Sequence, residues 1–187
     1  MTLTRTDRKE CPCCSRGLLR HLSGYERAHL GTCSCCGFVY AAKVPSAQEL
    51  EAHYAHKYAR KYEPDAWVSD ATRTRLGELA DSFEPYRWSG RILDVGCGRG
   101  LLLEAAHARG WECHGTEYSA GALRHGRERG FVMVEGDTIP GVFDPHHFDV
   151  IVMIEVIEHM PEPRRGLEAI LKILRPLRIK RTGDLKS

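Results

Sequence analysis

Residues 92–100 read Ile-Leu-Asp-Val-Gly-Cys-Gly-Arg-Gly, and this stretch decides the fold. Ile92 to Val95 is a short apolar strand carrying one acid, Asp94. Gly96, Gly98 and Gly100 then alternate with Cys97 and Arg99, and the apolar run from Leu101 to Arg109 predicts a helix closed by Gly110. Strand, glycine turn and helix in this order make the βα turn of a doubly wound α/β fold, where ligands sit beyond the carboxyl ends of the strands. The glycines let the backbone approach a ligand closely, because no Cβ stands in the way. The spacing is Asp-x-Gly-x-Gly-x-Gly. It departs from the Gly-x-Gly-x-x-Gly of dinucleotide-binding folds, since residue 101 is Leu. A nucleotide of another kind, as in a dehydrogenase, is the competing reading of the loop. Cys97 is small enough to pack beneath it.

Three further strands follow. Cys113-His-Gly-Thr-Glu-Tyr118 ends in Glu117, which can accept from both hydroxyls of a ribose; an acid there favours an unphosphorylated sugar. Phe131-Val-Met-Val-Glu-Gly-Asp137 ends in Asp137, placed to accept from an adenine amino group. Val150 to Ile157 is nearly all apolar, as befits a strand covered on both faces. A helix is expected from Pro163 to Leu174, with Leu167, Ile170, Leu171 and Leu174 apolar.

Together these motifs resemble the class I S-adenosylmethionine-dependent methyltransferases over roughly residues 88 to 176. Ile92 to Gly100 looks like their first motif, with Asp94 at the strand end. Phe148-Asp-Val-Ile-Val-Met-Ile-Glu-Val-Ile-Glu-His159 looks like their fourth strand and its sequel. The resemblance implies S-adenosyl-L-methionine as cofactor. Gly96 and Gly98 would pass its methionine part, Glu117 would hold the ribose, Asp137 would lie near the adenine, and the backbone near Ile154 would touch the cofactor. Methyl transfer from a sulfonium is an in-line displacement in which the protein mainly supplies position and electrostatics, and no general base is assigned. Glu155, Glu158 and His159 carry two readings. Similar segments in small-RNA 2′-O-methyltransferases help hold a divalent metal. The segment is also common elsewhere in the superfamily, including the quinone-biosynthesis O-methyltransferases, and the preferred reading is that Glu158 and His159 begin a loop and helix here, with Glu155 positioning cofactor or substrate. The family usually continues through Leu-x-Pro-Gly-Gly and three more strands. Here Leu174-Arg-Pro176 leads into a basic, patternless tail. The expectation is a partial Rossmann-like sheet, truncated after its fourth strand. A bare apolar edge there invites association, so a partner chain or oligomer is expected to cover it. A cofactor-binding fragment without turnover is the corresponding alternative.

The N-terminus carries a second signal. Cys11-Pro-Cys-Cys14 and Cys33-Ser-Cys-Cys36 are two CxxC pairs, and two such turns give four sulfur ligands for a tetrahedral zinc ion. Cys13 and Cys35 compete with them. The set Cys11, Cys14, Cys33 and Cys36 is preferred because CxxC closes the knuckle more naturally than CxC. Gly37 suits the second turn, and Phe38 to Tyr40 read as a strand on the site. Four protein ligands close a zinc site, so its role is structural. A disulfide cluster or a redox dithiol is the alternative.

The chain divides into a zinc-ribbon module (1–45), a helical linker (46–89) and the cofactor-binding domain (90–187). In the linker, Ser46-Ala-Gln-Glu49 is a capping box. Leu50, Tyr54, Tyr58 and Tyr62 recur at helical spacing, flanked by His53 and His56. A second helix is predicted over Ala71 to Phe83, ended by Pro85. Of the 187 residues 42% are hydrophobic and 28% charged, with a formal net charge of +2, so bulk charge points to no particular partner. No run is long enough to cross a bilayer, and the polar N-terminus does not read as a secretory signal. A cytoplasmic chain without membrane contact is expected, in a compartment where clustered thiols more often hold metal than form disulfides. A zinc ribbon and helical linker ahead of this domain resemble methyltransferases of sugar and secondary-metabolite pathways. Some rRNA methyltransferases place a zinc module similarly. The N-terminal region lacks the basic and aromatic interleaving of a nucleic-acid binder, which favours a small-molecule acceptor over RNA.

Overall fold

The computed structural model describes residues 5–17, 19–46, 48, 49, 52, 67–136 and 141–177. The N-terminal part holds two small antiparallel sheets. β1 (Arg5–Asp7) pairs with β5 (Lys43–Pro45), and β2 (Leu19–His21), β3 (Leu30–Cys33) and β4 (Val39–Ala41) form the second. Register places Leu19 opposite Cys33 and Gly31 opposite Tyr40. Tyr40 therefore packs with Cys11 and Cys33 in a core of very few residues. The capping box forms: the Ser46 amide donates to Glu49 Oε2 at 3.0 Å, and the Glu49 amide donates to Ser46 Oγ at 3.3 Å. The stripe Leu50, Tyr54, Tyr58 and Tyr62, with His53 and His56, lies outside the described residues.

α1 (Asp70–Asp81) begins where Ser69 Oγ accepts from the Thr72 amide at 3.1 Å. Leu76, Leu79, Ala80 and Phe83 share the face that meets the core. A 3-10 turn over Glu84–Tyr86 carries Pro85. Arg87 fastens this turn to the next layer, donating to the carbonyls of Arg109 at 2.8 Å and Gly110 at 3.1 Å, with its guanidinium 4.3 Å over the Trp111 ring.

β6 (Arg91–Val95), β7 (Glu112–Glu117), β8 (Val132–Glu135) and β9 (Val150–Met153) form one parallel sheet in the order β8-β7-β6-β9. α2 (Leu101–His107) and α3 (Ala120–Glu128) make the crossovers from β6 to β7 and from β7 to β8, and α4 (Pro163–Ile173) follows β9. Side chains of a strand alternate between faces, and β6 is buried on both. Ile92 joins Leu103, Trp111, Cys113 and Phe131 on one side; Leu93 and Val95 join Phe148, Ile170 and Ile173 on the other. That double burial explains the uninterrupted apolar run at the sequence level.

Four expectations change. The predicted helix to Arg109 ends at His107, and Gly110 (φ +80°) turns the chain into β7. The apolar run to Ile157 is strand only to Met153, because Glu155 turns left-handed (φ +54°) and Ile157–His159 winds into a 3-10 turn. α4 buries Ile170 and Ile173, whereas Leu167 and Leu171 of the expected apolar set face outward at 40% and 66% exposure. The outer edge of β9 is met at its start by the chain leaving α4, through a parallel bridge between Phe148 and Leu174 and a bond from the Arg175 amide to the Phe148 carbonyl at 2.8 Å. Among the described residues no helix is long and apolar enough to cross a membrane.

Candidate cofactor site and cysteine cluster

The glycine turn lies at the carboxyl end of the sheet. Gly96, Gly98 and Gly100 take φ of +66°, +54° and +73°, the left-handed region that glycine enters without penalty. A Cβ on Gly96 would stand 2.7 Å from Val156 Cγ2, so this glycine admits the chain leaving β9. A Cβ on Gly98 would meet nothing within 4 Å, and the turn is open there. Thr116 holds the turn from β7: its Oγ1 accepts from the Gly96 amide at 3.3 Å and its carbonyl from the Cys97 amide at 3.0 Å. Cys97 packs under the turn, its Sγ 2.8 Å from where a Cβ on Gly115 would lie. Burial, and then the charges of Asp94 and Glu117, push its thiol above the ordinary range, which favours the uncharged thiol.

Glu117 ends β7 with its carboxylate turned back on the loop. Oε1 accepts from the amides of Tyr118 at 2.7 Å and Ser119 at 3.1 Å, and Oε2 from the Gly98 amide at 2.9 Å. Asp94 is buried close by. Burial, with the Glu117 charge second, pushes its carboxyl up to about 7. Its folded-state pKa is raised, so the stability it brings is present below the ordinary carboxylate range and is lost as pH rises through about 7. Asp94→Asn removes this titration. Urea midpoints at about pH 5 and about pH 8 should fall more steeply with pH for the native chain than for the variant; parallel profiles would contradict the assignment.

A protein-family model described as "Methyltransferase domain" matches residues 53–178, more than half of the chain. The chain belongs to this methyltransferase family. The ubiquinone biosynthesis O-methyltransferase of Idiomarina loihiensis is 34% identical over 94 residues, which are 46% of this chain and 38% of that protein. Its counterpart in Pectobacterium atrosepticum is 30% identical over 109 residues, 54% and 45% of the two chains. The chain therefore spans less than half the length of these curated relatives. The solved structure of the [4+2]-cyclase SpnF matches with a TM-score of 0.53 at 23% identity, covering 71% of this chain and 58% of that one, and shows the fold alone.

Within the methyltransferase domain, Ile154 lies just past β9 in a bend and is 48% exposed. Val156 touches Gly96, which joins the segment after β9 to the glycine turn. Glu155, Glu158 and His159 are exposed. Their ligand atoms do not converge; among the described residues the four cysteines are the one group that does. Asp137 lies outside the described residues. Thr116 and Val156 escaped the sequence reading, and only their places beside Glu117 and after the fourth strand could have pointed to them.

In the N-terminal part the sulfurs of Cys11, Cys14, Cys33 and Cys36 all lie within 4.8 Å of one another. Cys11 and Cys36 are 3.7 Å apart, as are Cys14 and Cys33. Four thiolates about 2.3 Å from a tetrahedral ion stand about 3.8 Å apart, so the cluster fits zinc. The amides of Cys13 and Cys35 point at Cys11 Sγ (3.4 Å) and Cys33 Sγ (3.3 Å), as knuckle turns require, while the side chains of Cys13 and Cys35 are exposed. Gly37 takes φ +74°. The amide of Cys36 leads in holding the Cys33 thiol down to about 6. Against the amide of Phe38, burial and the neighbouring thiols push Cys36 up to about 12.

Proposed function

We propose that this chain binds S-adenosyl-L-methionine over the glycine turn and transfers its methyl group to a small-molecule acceptor. The observation that carries the reading is Glu117: a buried carboxylate at the end of β7, fixed by two amides on Oε1 and closed against the glycine turn by Oε2. Such an acceptor-only group suits a ribose diol. Bound there, the cofactor supplies an electrophilic methyl group on a sulfonium. In this reading Gly96 and Gly98 leave room for its methionine part beside the buried Asp94, the backbone at Ile154 borders the reacting side, and Asp137, outside the described residues, would accept from the adenine amino group. Cys11, Cys14, Cys33 and Cys36 hold a structural zinc ion, which stabilises the N-terminal module and takes no part in the chemistry.

The acceptor class rests on the relatives named as ubiquinone biosynthesis O-methyltransferases, which favours a ring hydroxyl of a quinone-like molecule. The zinc-loaded chain should release S-adenosylhomocysteine when mixed with cofactor and catechol-type phenols, and should not with bulk RNA. Turnover on RNA alone would reverse the choice of acceptor.

A further inference from the structure

Arg8 lies three residues before the first cysteine, and its side chain leaves the N-terminal module. Its backbone is fixed: its amide donates to the Ala42 carbonyl at 2.7 Å, continuing the pairing of β1 with β5. The side chain is only 10% exposed. Nη1 reaches Glu162 Oε1 at 3.3 Å, and Nη2 donates to the Pro161 carbonyl. Nε is buried with no hydrogen-bond partner. Burying an arginine with one donor unpaired is costly, and the contacts to Glu162 and Pro161 are what offset that cost.

Pro161 and Glu162 close the segment that leaves β9. It runs from the left-handed Glu155 through Val156, which fills the space over Gly96, and the Ile157–His159 turn. The His159 amide bonds the Val156 carbonyl at 2.9 Å and the Met160 amide the Ile157 carbonyl at 3.2 Å, so residues 156–160 form one hydrogen-bonded turn between Val156 and the Arg8 contacts. We propose that Arg8 is a positioning residue that ties the cysteine module to residues 155–162, and through Val156 sets the glycine turn on which the cofactor rests. The effect on the cofactor rests on the methyltransferase reading above; the tie itself does not. The N-terminal module thus serves as a brace for the reacting side of the sheet.

Hydrogen exchange on the full, zinc-loaded chain tests the tie, with bound zinc measured for each variant. Arg8→Ala should speed exchange at the His159 and Met160 amides about tenfold and leave β6 and β7 unchanged. Glu162→Ala, which removes one of the two partners without touching the module, should speed the same amides by less. Lys43→Ala, on β5, should change nothing there. Unchanged exchange over 155–162 in Arg8→Ala overturns the proposal. Should Arg8→Ala lose zinc or exchange faster everywhere, Glu162→Ala decides: a local rise supports the tie and no rise overturns it. Titration with S-adenosylhomocysteine should then show severalfold weaker binding by Arg8→Ala. A native chain that binds none refutes the cofactor reading, while the exchange result still judges the tie.

Discussion

Asp149→Ala is expected to lose about 3–5 kcal/mol of stability. The Asp149 side chain is fully buried at the start of β9. One of its oxygens accepts from the amides of Trp88 (2.8 Å), Ser89 (2.6 Å) and Gly90 (2.7 Å), and the other from Ser89 Oγ (3.0 Å) and Arg175 Nε (3.1 Å). One carboxylate therefore joins the entry to β6, the start of β9 and the chain leaving α4. Truncation leaves three amides turned toward an empty space, and each unsatisfied buried donor costs about 1–3 kcal/mol. Burial opposes ionisation, but the amides of Trp88 and Gly90 outweigh it and hold the carboxyl below its ordinary value. Its stability is thus present above the ordinary carboxylate range and is lost as pH falls through the lowered folded-state pKa. Urea unfolding of native and variant chains near neutral pH, and again in acid, should show the gap closing on acidification. A loss below about 1 kcal/mol at neutral pH would mean that the amides find other partners.

Cys33→Ser is expected to abolish zinc binding and unfold the N-terminal module. Cys33 is 2% exposed and packs with Cys11 and Tyr40 in a core too small to hold alone. In such modules metal binding is folding free energy, about 10–16 kcal/mol in isolated fingers near neutral pH. Zinc content and protease sensitivity of the linkage after Pro45 would report the loss, with chelation of the native chain giving the same pattern. Cys13→Ser and Cys35→Ser should keep one zinc ion each, because both thiols are exposed and outside the cluster. Loss of zinc from either of these would move the ligand set.

The parts read most directly from the sequence were those whose local pattern repeats a physical requirement. β6 announces itself because both faces are buried; the glycine turn, because three left-handed residues in five admit little else; the knuckles, because two thiols three apart already face one point. Glu117 stood out as an acid closing the second strand. The end of β9 was misread because Ile154, Val156 and Ile157 continue the apolar composition, while the left-handed Glu155 that stops the strand leaves no mark in hydropathy. In α4 the apolar set Leu167, Ile170, Leu171 and Leu174 does not by itself say which members are buried, and only packing selects Ile170 together with Ile173. Asp149 and Arg8 were illegible. Their partners lie 59 to 61 residues away for Asp149's amide bonds and 154 away for Arg8 and Glu162, and no spacing within either neighbourhood encodes them.

The most direct test of the cofactor reading is calorimetric titration of the zinc-loaded chain with S-adenosylhomocysteine, beside Glu117→Ala and Glu117→Gln. The account predicts one site in the native chain. Affinity should fall about a hundredfold in the alanine variant, as loss of charge-assisted bonds to a ribose diol implies, and less in the glutamine variant. A folded native chain that takes up no S-adenosylhomocysteine, or an alanine variant that binds it equally well, would contradict the assignment of the glycine turn and Glu117 as the cofactor site.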